Sequence, residues 1–247
     1  NTLLLALVTA APHNEATSAA IAQIAEQALT HADVAGVHWL INDTKTDISF
    51  GAYRQHWGAA TLAMQVGSHT LQIGPNTFFQ NNVHLLLPLL DEVYHAAAHV
   101  GARSIADLYG GVGTIALHLA PIGCPISTVE SIEESALLAR QNIVANQAGH
   151  IRAVHADTLD YLREQAPGSI DVLVADPPRT GLGPDVCREI LRIEPARIVY
   201  VSCNSLTQLE DVRALGGAYR LQSLAGYDMF PHTPHLEALA VLDRMAL

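Results

Sequence analysis

The stretch "SIADLYGGVGT", residues 104–114, decides the fold. A short apolar run passes into a turn with glycines at 110, 111 and 113, and then into a helical pattern. Glycines at such a strand-to-helix turn let the backbone approach a ligand closely. A turn of this kind is equally at home with no ligand at all, so its meaning depends on the chain around it. From about residue 103 onward, short β-rich runs alternate with amphipathic helical stretches, the pattern of βαβ units around a parallel sheet. Seven strands are read: 104–110, 125–131, 151–157, 170–176, 197–203, 219–227 and 236–244. Helical patterns fill the first five gaps, most clearly "EESALLARQNIVAN" (133–146), with apolar residues recurring at three and four. Between the last two strands stands only "DMFPHTPH", too short for a parallel crossover, so the seventh strand is expected to run antiparallel to its neighbour.

Residues 1–76 read as a small α+β unit. It holds a strand "LLLALVT", a helix over 17–30, a strand "GVHWLI" and a hairpin "LAMQVGSHTLQIG" turning at Gly67-Ser68. Residues 77–100 read as a linking helix that Pro88 should kink or shorten, and residues 77–247 as the second domain. With 247 residues, 49% hydrophobic content and a mean hydropathy of +0.20, the chain can bury one large core and a small accessory one. No apolar run approaches the roughly 20 residues of a membrane span, and the N-terminus lacks the basic flank of a secretion signal, so a cytoplasmic monomer is expected. Cys124, Cys187 and Cys203 are too few and too scattered for a disulfide framework, a zinc site or a cluster of thiolates. His95 and His99, four apart on a helix, lack further ligands at useful spacing, and no metal is expected. A net charge of −11, with Lys45 the one lysine, speaks against nucleic acid unless the arginines gather locally.

The carboxyl ends of the strands carry the chemistry. Glu130 closes the second strand, where a carboxylate can accept from ribose hydroxyls. With the Gly111 and Gly113 turn it points to an adenosine cofactor. The third glycine of a pyrophosphate turn is replaced by Ala116, which favours S-adenosylmethionine and a class I methyltransferase, a Rossmann-like seven-stranded α/β fold. Asp157 either reaches the adenine or caps the next helix. "ADPPRTGLG" (175–183) stiffens the rim after the fourth strand and presents Asp176 and Arg179. A lone cysteine after a Val-rich strand is ordinarily packing, but Cys203 ends the fifth strand at this same rim. A thiol beside a methyl donor suits a carbon that becomes nucleophilic only after addition, such as carbon 5 of uracil, and the reaction then needs a base. Glu237 opens the last strand at the same edge.

Five segments, "FFQNN", "DLYGGVG", "ADPPRTG", "VYVSCNSLT" and "DMFPHTPHLE", occur in order across residues 77–247, and together they resemble the RNA (uracil-5-)-methyltransferases that form 5-methyluridine. The resemblance implies that Cys203 is the nucleophile and Glu237 the proton acceptor. It implies S-adenosylmethionine contacts from Gln80, Tyr109, Thr114, Glu130, Asp157 and Asp176, with Phe78 near a flipped base and Arg179 among the substrate contacts. Residues 1–76 are similar in pattern to the small RNA-holding domain of that family. The stretch 191–215 is most similar to the branch acting on 23S ribosomal RNA, so ribosomal RNA is preferred to transfer RNA as partner. Many members carry Cys at the place of Gly110 and Asn at that of Thr114. Neither an oligonucleotide-binding barrel nor iron–sulfur cysteines precede these motifs, which leaves a compact and a truncated member both open. A methyltransferase for a small molecule or protein, with Cys203 incidental, and a non-catalytic RNA-binding module are the alternatives. The loop histidines His232 and His235 stand between loop shaping and substrate contact.

Overall fold

The computed structural model describes residues 2–12, 14–44 and 50–245; Lys45 lies outside them. The chain runs β1 (Leu3–Thr9), α1 (Glu15–Ala28), β2 (Val34–Ile41), β3 (Ala52–Gly58), β4 (Leu62–Val66), β5 (His69–Ile73) and α2 (Val83–Ala98). Then come β6 (Ile105–Leu108), α3 (Thr114–Leu119), β7 (Ile126–Glu130), α4 (Glu133–Ala145), β8 (Ile151–His155) and α5 (Thr158–Arg163). The last part is β9 (Val172–Ala175), α6 (Gly183–Ile193), β10 (Arg197–Ser202), α7 (Ser205–Leu215), β11 (Tyr219–Tyr227) and β12 (Glu237–Arg244).

The seven strands expected from residue 104 onward form one sheet in the order β11-β12-β10-β9-β6-β7-β8. β6 to β10 are parallel, while β12 lies antiparallel to both β10 and β11. Every residue of β6, β9 and β10 is buried, as befits strands covered on both faces. Successive side chains part to opposite sides: Val172, Val174, Val199 and Val201 join the core under α2, α3 and α4. Leu173, Ala175, Ile198 and Tyr200 join the core under α5, α6 and α7. Each large apolar side chain so buried contributes about 1.5–3 kcal/mol. The order of crossovers reverses between β6 and β9, and open α/β sheets bind ligands at the carboxyl ends of strands beside such a reversal.

The first helix starts at Asn14, whose side chain accepts from Thr17 N–H. β1 and β2 pair in parallel, and β3 adds antiparallel to β2. β3 is a strand that the pattern of "AYRQHWG" does not announce, because it is an edge strand whose residues are nearly all exposed and so carry no apolar alternation. The linking helix begins only at Val83, where Asn82 accepts from the His84 and Leu85 amides. Pro88 stands inside it, and its missing N–H leaves the His84 carbonyl without the usual donor.

The β4–β5 hairpin is held by α4. Asn142, fully buried, accepts from Gln72 N–H at 2.7 Å and donates to Gln72 O at 3.1 Å. One turn on, Asn146 repeats the exchange with Thr70. These two amides act as a side-chain strand against β5. Asn142 also donates to Val112 O at 3.0 Å, which ties the hairpin to the glycine turn.

Candidate active site

Sheet register assembles the site. Ser202 of β10 pairs with Ala238 of β12, and Tyr227 of β11 pairs with Glu237. The step beyond β10 therefore sets Cys203 opposite Glu237. On the other side Tyr200 aligns with Ala175, and Leu108 with Ala175, so Asp176 leaves β9 between Tyr109 and the β10 end. Antiparallel β12 is what brings a residue from the start of a strand to the edge where the parallel strands finish.

Two groups of side chains result. The first surrounds the glycine turn: Phe78, Gln80, Tyr109, Gly111 and Thr114 line one cavity between the turn and the N-terminal end of α2. Gly111 and Gly113 have φ of 54° and 87°, which glycine adopts without the cost a side chain would impose. Tyr109 also has positive φ, 61°, a backbone placement rare for an aromatic residue and frequent where a site dictates the chain path. Its phenol meets Thr158 and is raised to about 12, by burial first. Glu130 bridges the turn to its own loop: Oε2 accepts from Gly111 N–H at 3.0 Å and Oε1 from Ile132 N–H at 2.7 Å. Oε1 also accepts from the Ser131 hydroxyl at 3.4 Å, and Oε2 keeps a further acceptor site. Asp157 caps α5, its Oδ1 accepting from Leu159 and Asp160 N–H. Phe78 is exposed.

The second group is Asp176, Arg179, Cys203 and Glu237. Cys203 is a half-buried free thiol. Burial pushes it above the usual thiol range and Glu237 adds to that, while a hydrogen bond from the Arg179 guanidinium opposes it. Glu237 is buried, and desolvation raises its carboxyl although the Gln80 amide donates to it. Asp176 is raised by desolvation, then by Glu237 and Asp107. Gln80 thus joins the two groups. Arg179 alone among these side chains is cationic, and it turns to the sulfur. His232, with φ of 67°, is exposed and His235 half-buried in the loop before Glu237. That loop is fastened to the 78–82 segment by Asn82 Nδ2 donating to Met229 O at 3.2 Å. His95 on α2 and His99 at its C-cap are exposed, and no group of three metal-ligating side chains occurs among the described residues.

Asp107 belongs here and was not among the sequence candidates. It is wholly buried in β6, accepts from Thr128 Oγ1 at 2.8 Å, and is pushed up to about 7 by desolvation. A carboxylate inside an otherwise apolar strand was the available signal. Gly110 also matters more than its place in a permissive turn implies: a Cβ there would lie 1.9 Å from Thr128 Oγ1. In this chain, Thr128 fills the room that a side chain at 110 would take.

Comparison with known proteins gives this edge a lineage. The family profile described as tRNA (uracil-5-)-methyltransferase matches residues 25–245. The chain belongs to that family. A tRNA (uracil(54)-C(5))-methyltransferase of Pyrococcus abyssi is 35% identical over 210 residues, covering 85% of this chain and 49% of the relative. An uncharacterized RNA methyltransferase of Nitratidesulfovibrio vulgaris is 36% identical over 239 residues, covering 94% of this chain and 51% of that one. The crystal structure of the P. abyssi tRNA (uracil-54, C5)-methyltransferase with S-adenosyl-L-homocysteine superposes with a TM-score of 0.77 at 30% identity, over 98% of this chain and 56% of the other. The chain thus spans about half the length of the family relatives it matches, and its fold is that of the class I methyltransferases. No helix among the described residues is long and apolar enough to cross a membrane.

The residues present suit a cationic methyl donor. Gln80 Oε1 and Glu237 Oε2 are buried acceptors with no hydrogen-bond partner, and three carboxyl groups, Asp107, Asp176 and Glu237, raise one another or are raised by burial with no ammonium among them. Such a set stabilises a positively charged ligand.

Proposed function

We propose that the protein methylates carbon 5 of uracil in RNA, with S-adenosylmethionine as donor and Cys203 as covalent nucleophile. The observation that carries this reading is the opposition of Cys203 and Glu237 across β10 and β12, beside the glycine turn. S-adenosylmethionine supplies an electrophilic methyl group. Glu130 would hold its ribose, Asp176 its ammonium, and Gln80, Tyr109, Gly111 and Thr114 would enclose it.

The Cys203 sulfur forms a bond to carbon 6, and the π electrons of the 5,6 double bond move into an enolate. Carbon 5 then takes the methyl group, leaving S-adenosylhomocysteine. Glu237 removes the proton from carbon 5, the double bond re-forms, and the carbon 6–sulfur bond breaks to return the thiolate. Arg179 stabilises that thiolate at both ends of the cycle. Phe78, which is exposed, would stack on a base drawn out of the RNA, and residues 1–76 would hold the RNA around it.

Transfer RNA is the first substrate to try, because relatives with a named substrate are tRNA (uracil(54)-C(5))-methyltransferases; the ribosomal reading rests on the stretch 191–215. The test offers the protein labelled S-adenosylmethionine with transfer RNA, 23S ribosomal RNA or bulk protein. Label released by ribonuclease and found in 5-methyluridine supports the reading. Label released only by protease favours the alternative that the charge of −11 suggests, a protein substrate.

A further inference from the structure

Asp211 stands midway along α7, the helix that follows Cys203, and reaches under the loop joining β9 to α6. Its carboxylate is 6% exposed. It accepts from Leu182 N–H at 2.8 Å and Gly183 N–H at 3.0 Å. It also accepts from the Tyr200 hydroxyl at 2.7 Å and lies 3.7 Å from the Cys187 thiol. α6 has no side-chain cap of its own, so a carboxylate from another helix satisfies the donors at its start. Gly181, with φ of 78°, makes the approach possible: a Cβ there would lie 2.6 Å from Asp211 Oδ2.

A second clamp comes from the N-terminal end of α7. Asn204 Nδ2 and Thr207 Oγ1 donate to the Arg179 carbonyl at 3.0 and 3.2 Å. The loop between Asp176 and α6 is therefore fastened to α7 on both sides of Thr180, and the fastened part carries the guanidinium that meets the Cys203 sulfur. Burying a carboxylate among neutral donors is costly, and tying α6 to α7 needs only apolar packing of the kind already present there. The charge makes sense if the loop must be held to within a fraction of an ångström.

We infer that Asp211 is a positioning residue for the reaction, one that holds the 177–183 loop on α7 so that Arg179 stays against the Cys203 sulfur. The inference rests on the reading of Cys203 as nucleophile. The charged and titratable groups facing the sulfur are Arg179, Glu237 and Asp176; those facing Asp211 are Tyr200, Cys187 and, further off, Tyr109.

The test reads the thiol, not turnover. Iodoacetamide alkylation of the whole chain is followed peptide by peptide across pH, so that Cys203 is scored apart from Cys124 and Cys187. Asp211→Asn is expected to move the Cys203 profile to higher pH and to slow alkylation at pH 8 about three- to tenfold, as Arg179→Met does. The double variant should be no slower than Arg179→Met alone, since both changes act through one contact. An unchanged profile, or losses that add, would overturn the inference. If Asp211→Asn does not fold, Gly181→Ala disturbs the same contact from the loop side and is read in the same way, with the same outcomes. Failure of the underlying reading looks different: Cys203→Ala would then still methylate RNA, whatever the thiol profiles show.

Discussion

Ser202 pairs with Ala238, and this one register step sets Cys203 opposite Glu237, with no intervening residue on either strand. A thiol and a carboxyl so placed impede each other's ionisation, and Glu237 does add to the rise of Cys203. Burial raises both groups above their ordinary ranges, and a cationic donor bound in the cleft would bring both down toward their reactive forms. Arg179 begins that shift.

Asp107 should make the fold less stable at alkaline pH. Its carboxyl titrates near 7 in the folded chain and near 3.8 when unfolded, so the folded state binds the extra proton between those values. Its stabilising contribution is complete below about pH 4 and lost as pH rises through about 7, an effect of up to about 4 kcal/mol. Asp176 and Glu237 act in the same direction. Urea melts at pH 5 and 8 should show the difference, and Asp107→Asn, which can still accept from Thr128, should shrink it. An unchanged difference in the variant would assign the pH dependence elsewhere.

Gly110→Ala should destabilise the chain by about 1–3 kcal/mol, because its new Cβ meets Thr128 Oγ1 in a filled interior. Thr128→Ala should recover part of that loss when the two are combined, since Asp107 Oδ2 would still lie 2.9 Å from the new Cβ, and it takes the Thr128 hydroxyl from Asp107. Thermal melts of the single and double variants give the coupling directly. Simple additivity would mean that the turn moves aside instead.

Much of this was legible in the residues. The strands from 104 onward announced themselves as short β-rich runs alternating with amphipathic helical stretches, and "DMFPHTPH" was short enough to fix the direction of β12. Glu237 could then be placed at the edge where β10 ends. What escaped were features that depend on side chains meeting across distant elements. Asn142 reads as an ordinary polar residue on α4 until β5 lies against it, and Asp211 as a solvated helix residue until the 181–183 backbone folds onto it. β3 escaped because an exposed edge strand has no apolar alternation to read. The limit on a larger residue at Gly110 escaped likewise, because it lies on the neighbouring strand, at Thr128, and not in the turn.

Glu130→Ala should weaken S-adenosylmethionine about ten- to a hundredfold, the loss expected when a set of charge-assisted hydrogen bonds goes. The structure adds a second route to the same loss, because Glu130 also holds the Gly111 amide. Glu130→Gln separates them: its carbonyl can still accept from Gly111, so it should lie between wild type and Ala in a calorimetric titration. Equal binding by all three would remove Glu130 from the cofactor site.

Cys203 and Glu237 act at opposite ends of the proposed cycle, which makes their variants fail in different ways. Addition to carbon 6 and methyl transfer need the thiolate and the donor, whereas release needs a base for the carbon 5 proton. Glu237→Gln keeps the shape and the contact with Gln80 but cannot take the proton. That variant should methylate once and stall, accumulating a protein–RNA adduct that survives a denaturing gel, while Cys203→Ala gives neither adduct nor product. The double variant should match Cys203→Ala, since nothing remains to trap. Turnover by Cys203→Ala would return the thiol to the packing role that a lone cysteine ordinarily has. If Glu237→Gln turns over without an adduct while Cys203→Ala is inert, the proton goes elsewhere, and Asp176, the other raised carboxyl beside the sulfur, becomes the residue to replace.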